Sequence, residues 1–291
     1  MILGVANGRS VAVQDGALLG PATYTPLVDA VCVAVDLDAV DLTPVAAIRI
    51  GRPCPLSLGP PGVSTIVQGG HSLTGDPMAP LDTNAISAFA SSCGLNNFVV
   101  TAAGSPMLAD HELAAAEMIA AAVPGARITL SYEFGQAGLR ERENLAVRNA
   151  GLGTAAGLIA DSMAARFPAP VYFARSDTGL VSSQYFRRYP VVCFRGGVSS
   201  AERGDGEGEF AAAYGAALAS PTASVERILR ASGRSELDDA LAVVQDEVLT
   251  RVVSAGAVPG SARVSSLIVR PLSYLPDGIY RARATAVGAT P

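Results

Sequence analysis

Short apolar runs alternate along this chain with longer stretches in which apolar residues recur every three or four positions. "ILGVAN" and "SVAVQDG" predict two strands joined by the turn "NGR", since Asn-Gly tolerates the positive φ of a tight hairpin. "AVCVAVDL" and "AAIRIG" predict further strands, and a loop rich in Pro and Gly follows from Arg52 to Pro80. "LDTNAISAFASSCG" has a helical repeat, capped by Asp82 or Thr83 and stopped at Gly94. "NNFVVTAAG" predicts a strand, "ADHELAAAEMIAAAV" a helix, and "ARITLSYE" a strand. A long helix then begins in "GLRERENLAVRNAGL" and continues through "GTAAGLIADSMAARF". Beyond it, "APVYFARSD" and "PVVCFRGG" predict strands. "EGEFAAAYGAALA", "ASVERILRAS" and "SELDDALAVVQDEVLTRVVSAG" predict helices, and "ARVSSLIVRPLSYLP" and "IYRARATAVGA" two closing strands. Strands interleaved with helices define an α/β protein in which at least part of the sheet is parallel. The break before Gly138 divides the chain into an expected N-terminal α/β lobe, 1–135, and a C-terminal α/β lobe, 136–291; no internal repeat is evident.

Composition narrows the function classes. With 291 residues and 49% hydrophobic content the chain can bury a substantial core. A net charge of −5 is the wrong sign for a nucleic-acid binder, which needs a clustered cationic surface. No run approaches the roughly 18 apolar residues of a membrane span. The start "MILGVANGRSVAVQDG" has no signal-peptide pattern. Cys32, Cys54, Cys93 and Cys193 form no CxxC pair, so reduced thiols and a cytoplasmic location are expected.

Several local patterns fall short of a motif. "GLGTAAG", Gly151 to Gly157, looks like a dinucleotide loop but sits inside a helix instead of opening one, where close packing accounts for the glycines. "ADHELAAAE" puts His111 beside Glu112, yet the i+4 position is Ala115, so the helical two-histidine metal pattern is incomplete and no metal is expected. The other histidine, His71, lies in the Pro/Gly loop. There is no G-x-S-x-G elbow, and "GDGEGEF" lacks the spacing of a calcium loop, which leaves a solvated connector. The aspartates of "VDLDAVDL" (Asp36, Asp38, Asp41) are expected to cap and solvate a loop rather than hold magnesium. "RSDTGLVSS" carries Ser176 and Asp177 at the end of a strand, the place where open α/β sheets bind ligands. The segment "RERENLAVR" concentrates five charges in a chain that is only 16% charged.

Taken together, these segments resemble the hydantoinase A/oxoprolinase family. "SYEFGQAGLRERENLAVRNAGL" is similar to a family stretch of the kind S-H-E-x-G-x-x-G-L-x-x-R-E-N-A-x-x-x-N-A-x-L, with Ser131, Glu133, Gly135, Gly138, Leu139, Arg142, Glu143, Asn144, Asn149, Ala150 and Leu152 in register. "VYFARSDTGLVSSQYFRRYPVVCFRGGVSS" is similar to the family's run from Q-N-D-G-T-L-M to R-Y-P-V, through Asp177, Leu180, Arg188, Tyr189, Pro190 and Val191. "SPMLADHELAAAEMI", "EFAAAYGAALASPTASVERIL" and "VRPLSYLPDGIYRARATAVG" resemble further family segments in the same order, over most of Asp76 to Gly288. The resemblance implies an actin-like, ribonuclease-H-related fold. It also implies relatives that use ATP and magnesium to activate a cyclic amide or a carbonyl, often beside a second large subunit. It assigns Arg142, Glu143, Asn144, Asn149 and Ser176 to substrate binding and leaves Asp177 as the catalytic carboxylate.

The departures from the family pattern concern phosphate chemistry. Where relatives carry D-x-G-G-T-x-T-D, this chain has "GVANGRSVAV", with Ala6 and Asn7 in place of the carboxylate turn. The family's H-G-T-T-x-x-T-N-A segment has no counterpart, only "SSAERGDGEG" spans the region of the second phosphate loop, and S-G-P is replaced by Arg195-Gly196-Gly197. Phosphoryl transfer depends on positioning and charge neutralisation by such groups. Two functions therefore follow from the sequence. One is a shortened hydantoinase-type enzyme acting on a cyclic amide or related small carbonyl compound, with ATP use in doubt. The other is a non-catalytic binding or assembly protein of the same fold, either a homo-oligomer or the partner of a full-length hydantoinase-type subunit.

Overall fold

The computed structural model describes residues 1–51, 62–136, 138–177, 179–204 and 208–290. Two sheets organise them. The first three strands, β1 (Ile2–Ala6), β2 (Arg9–Gln14) and β3 (Ala17–Pro21), form an antiparallel meander. β1 and β2 close on Asn7 and Gly8, which take φ of 49° and 76°, as the dipeptide predicts. β4 (Ala30–Ala34) runs parallel to β1, leaving the sheet before a second, four-stranded one begins.

That smaller sheet contains β5 (Ala46–Ile50), β6 (Val63–Val67), β7 (Asn97–Ala102) and β8 (Arg127–Leu130), all parallel, in the order β6-β5-β7-β8. Its strands are linked through helices α1 (Thr83–Ser92) and α2 (Asp110–Ala122). The Asp82 carboxylate accepts the Ala85 amide at 3.0 Å, which makes Asp82 the cap of α1. Alternation along β7 decides which side meets what: Phe98 and Val100 pack with Ile86 of α1 and Ile119 of α2, while Val99 faces Ala146 and Ala150 of the long helix α3 (Leu139–Arg166).

The chain then returns to the first sheet. β9 (Val171–Ala174) lies parallel to β4, and β10 (Gly179–Ser182) folds back on it. β11 (Ser220–Arg230), β12 (Arg263–Pro271) and β13 (Ile279–Val287) complete a nine-stranded mixed sheet in the order β12-β13-β11-β10-β9-β4-β1-β2-β3. Short helices α4 (Ser183–Arg188), α5 (Gly196–Arg203) and α6 (Ala211–Ala217) follow β10, and α7 (Arg234–Ser254) covers β11 and β13. The α/β class thus takes the form of one large mixed sheet and one parallel sheet. The large sheet draws β1–β4 and β9–β13 from opposite sides of the expected boundary at residues 135 and 136.

The 28-residue helix α3 ties the sheets together. Its first half packs on β7, while Leu152, Ala156 and Ala160 enter the core of the large sheet with Leu3, Val33 and Phe173. The glycines of "GLGTAAG" serve close approach: a Cβ on Gly151 would stand 3.0 Å from Leu42 Cβ, and one on Gly153 would strike the Arg127 guanidinium.

Three expectations from the sequence differ. "ASVERILRAS" forms the strand β11, because pairing with β13 over nine registered positions and burial of Ala223, Val225 and Ile228 outweigh the helix-forming Glu, Arg and Leu. "PVVCFRGG" forms a 3-10 turn over Pro190–Cys193 that leads into α5. The Pro/Gly loop contains β6, whose Val63 to Val67 complete the edge of the small sheet; Cys54 of that loop lies outside the described residues. Cys32, Cys93 and Cys193 are free thiols, and burial pushes the Cys32 thiol up to about 12.

Candidate functional site

The charged start of α3 enters the protein interior. Arg142 is 1% exposed and donates from Nε to Ser131 Oγ (3.3 Å), from Nη1 to the Gln136 carbonyl (3.1 Å) and from Nη2 to the Ala102 carbonyl (2.8 Å). Glu112, fully buried, completes this network: its carboxylate accepts the Ala102 amide at 2.9 Å, the Ser131 hydroxyl at 2.6 Å and the Tyr132 amide at 3.1 Å. Burial raises the Glu112 carboxyl above its usual range while these hydrogen bonds pull it back. Burial likewise lowers Arg142, against the charges of Glu112, Glu141 and Glu143. Glu143 faces the other way and forms a buried two-pronged ion pair with Arg49 of β5, Nε to Oε1 at 2.9 Å and Nη2 to Oε2. Asn149 clamps the turn after α4, donating to the Arg188 carbonyl (2.9 Å) and accepting the Val191 amide (3.3 Å). Of the expected substrate-binding residues on α3, Asn144 is exposed, and Arg142, Glu143 and Asn149 are buried among fixed protein partners.

Ser176 and Asp177 lie elsewhere, at the end of β9 in the large sheet. The Asp177 carboxylate takes both Arg175 Nε and Nη2 at 2.8 Å and the Gly179 amide at 3.2 Å. Arg175 is nearly buried; burial is the largest influence on it and opposes its charge, but the hydrogen bond and charge of Asp177 hold it above its usual value. Ser176 Oγ accepts the Arg195 amide at 2.8 Å, just before α5. At the head of the same helix, Asp36 Oδ1 accepts the Gly197 and Val198 amides at 3.0 and 3.2 Å. A helix N-terminus is an anion site, and here the anion is the chain's own carboxylate. Asp36, expected to cap and solvate its own loop, instead caps a helix 161 residues further along the chain. Thr178, and residues 205–207 of "GDGEGEF", lie outside the described residues.

Several residues from separate segments meet beside the end of β8. Glu133 accepts Arg188 Nη2 (2.9 Å) and the Tyr189 hydroxyl (2.7 Å), and its carbonyl accepts Arg251 Nη1 of α7 (2.8 Å). Beside this knot a cavity of about 340 Å³ is lined by Gln184, Tyr185, Arg188, Tyr189, Arg251 and Ser254. Burial raises both tyrosine hydroxyls, and for Tyr189 the charge of Glu133 adds to it, so both stay neutral at pH 7; the Tyr189 proton is given to Glu133, which leaves Tyr185 as the phenol donor of the cavity. Two guanidiniums and a phenol donor around a space this size are suited to an oxygen-rich small molecule, a carbonyl or carboxylate above all. Tyr185 of α4 lies one helical turn before Arg188 and Tyr189 and is not among the matched residues; Arg251 of α7 belongs to no motif read from the sequence, and only the fold brings it to them.

A second group was missed because its members come from separate loops. His71, following β6, meets Asp110 and His111 at the start of α2, and one ligand-capable atom from each lies within 4.8 Å of the others. Spacing along one helix cannot reveal such a set.

No family profile matches the sequence, and no curated protein is significantly similar to it. Solved structures do show a similar fold. An ATP-dependent caprolactamase from Pseudomonas jessenii superposes with a TM-score of 0.56 at 16% identity, covering 70% of this chain and 40% of its own. A nucleotide-free acetone carboxylase, from a study of ATP-dependent acetone carboxylation, gives 0.55 at 13% identity with the same coverages. This chain therefore spans well under half the length of the chains it resembles. Among the described residues, no helix is long and apolar enough to cross a membrane.

Proposed function

We propose that this protein binds a cyclic amide or related small carbonyl compound in the cavity beside the end of β8 and does so without ATP. The observation that carries the reading is the cavity lined by Arg188, Arg251, Tyr185 and Tyr189. Two of its residues, Arg188 and Tyr189, are among those that match the hydantoinase A/oxoprolinase pattern. The guanidiniums and the Tyr185 phenol can orient and polarise a carbonyl oxygen, while the Tyr189 hydroxyl is committed to Glu133. Asp177 is a poor choice of general base here, since Arg175 engages both of its oxygens.

The order β3-β2-β1-β4-β9, an antiparallel meander continued by two parallel strands, supports the ribonuclease-H-related lobe of an actin-like fold. Within that lobe the phosphate turn of relatives corresponds to Asn7-Gly8, with Ala6 where they carry a carboxylate. The Asp36 carboxylate on the first amides of α5 supports the same loss of nucleotide chemistry, because it would repel a phosphate approaching that helix.

Calorimetric titration with hydantoin, 5-oxoproline and caprolactam, each with and without Mg-ATP, tests the reading. Binding of at least one compound is expected, unchanged by Mg-ATP and reduced at least tenfold in Arg188→Ala and Arg251→Ala. Binding that appears only with Mg-ATP, or that survives both substitutions, would overturn it. The second reading, a non-catalytic partner of a larger hydantoinase-type subunit, is favoured by the edge strand β12, which exposes Leu267 and Ile268 along an unpaired margin of the sheet. Failure of every cyclic amide to bind would move the case to that reading.

A further inference from the structure

We propose that His71, Asp110 and His111 form a binding site for a divalent transition metal of the zinc class, at the C-terminal edge of the small parallel sheet. The site is independent of the cavity described above. His71 is 5% exposed, and its Nδ1 is a buried nitrogen with no hydrogen-bond partner. Asp110 Oδ1 stands 3.4 Å from that nitrogen. A buried imidazole nitrogen facing a carboxylate without a hydrogen bond is a costly arrangement for a purely structural histidine, and a normal one for a ligand. The two imidazoles lie 4.4 Å apart between centroids, tilted by 40°.

The backbone fixes this group in place. The His71 amide donates to the Ala103 carbonyl at 2.9 Å, joining the loop after β6 to the end of β7. The Gly70 amide donates to His111 Nδ1 at 2.8 Å, and Asp110 Oδ1 accepts the His111 amide at 2.9 Å. These loops follow the C-terminal ends of parallel strands, where open α/β sheets form their ligand sites.

The donor set selects the metal. Two imidazole nitrogens and one carboxylate oxygen suit zinc, cobalt or nickel, whereas calcium and magnesium favour all-oxygen shells. Donor atoms within 4.8 Å of one another need only small side-chain rotations to reach the roughly 2.0–2.2 Å bonds of zinc. His111 would exchange its bond from the Gly70 amide for the metal. The positive end of α2 also disfavours a cation, which makes the Asp110 charge a required part of the site. Three protein ligands leave a fourth position for water or a substrate oxygen, the arrangement of catalytic rather than structural zinc.

The test uses the full chain, free of any affinity tag and stripped with chelator, titrated with Zn²⁺ by calorimetry and with Co²⁺ by visible absorption. One equivalent of zinc is expected, with cobalt giving the intense d–d bands of a four-coordinate nitrogen/oxygen site. His71→Gln and His111→Gln should abolish both signals. Asp110→Asn, at an exposed position that should leave folding intact, should weaken zinc at least tenfold. The absence of stoichiometric zinc binding in the wild type would overturn the proposal, as would binding unaltered in Asp110→Asn and in the double variant His71→Gln/His111→Gln.

Discussion

Arg175 and Asp177, two residues apart at the end of β9, close on each other through two parallel hydrogen bonds of 2.8 Å. The guanidinium side is nearly buried, and Arg175 Nη1 also reaches the Thr222 carbonyl of β11 at 3.2 Å. The pair therefore fastens the β9–β10 turn to the far half of the large sheet. Asp177→Asn is expected to lower unfolding stability by about 1.5–3 kcal/mol, the range for a hydrogen bond to a charged group, because a buried guanidinium loses its anion. The affinity for any cyclic amide should stay within twofold. Denaturant unfolding and the titrations above measure both, and a large affinity loss at full stability would return Asp177 to the binding site.

The Arg49–Glu143 pair is more deeply enclosed, each side chain being 2% exposed. Removing Glu143 takes the facing carboxylate away from a buried guanidinium, so Glu143→Ala is expected to cost about 3–5 kcal/mol. Replacing both with apolar residues of similar size, Arg49→Met with Glu143→Leu, should recover most of that loss. A double variant as unstable as the single one would mean that the pair does more than satisfy itself.

These two pairs mark where the sequence was readable and where it was not. The Asn7-Gly8 hairpin, the Asp82 cap and the span of α3 follow from local chemistry, and each was visible in a few adjacent residues. The charge cluster of "RERENLAVR" was visible too, but its meaning depended on what lies opposite. Arg49 and Glu143 are 94 residues apart, and nothing in either segment reveals that they face each other in the buried interior. β11 was hidden for a related reason: Val225, Ile228 and Leu229 have helical spacing, and only pairing with β13 makes them a strand. The cavity residue Arg251 and the His71–Asp110–His111 group are likewise products of topology.

Asp36 offers a local test of the head of α5. Its carboxylate supplies the cap that the helix lacks from its own preceding residue, Arg195, which makes no side-chain cap bond. Asp36→Ala should cost about 1 kcal/mol, as for loss of an N-cap, a fall of roughly 2–4 °C in melting temperature. Asp36→Asn should retain part of it, since the amide oxygen can still accept. Equal losses for both would argue that charge at the helix dipole matters more than the hydrogen bonds.

Acidification should weaken the fold through His111. Burial lowers its pKa, the charge of His71 lowers it further, and Asp110 only partly opposes them. The folded state therefore holds fewer protons on this residue than the unfolded chain does between the lowered value and the ordinary one of about 6.5. In that window stability rises with pH and is lost as pH falls, and the loss ends once the folded pKa has been passed. Urea midpoints from about pH 8 to about pH 5 should show this slope in the wild type and a shallower one in His111→Gln. Zinc should act in the same direction, since protons compete with it for the imidazoles, so its stabilising effect should shrink as the pH is lowered. A slope of equal size in His111→Gln would assign the acid sensitivity to other groups.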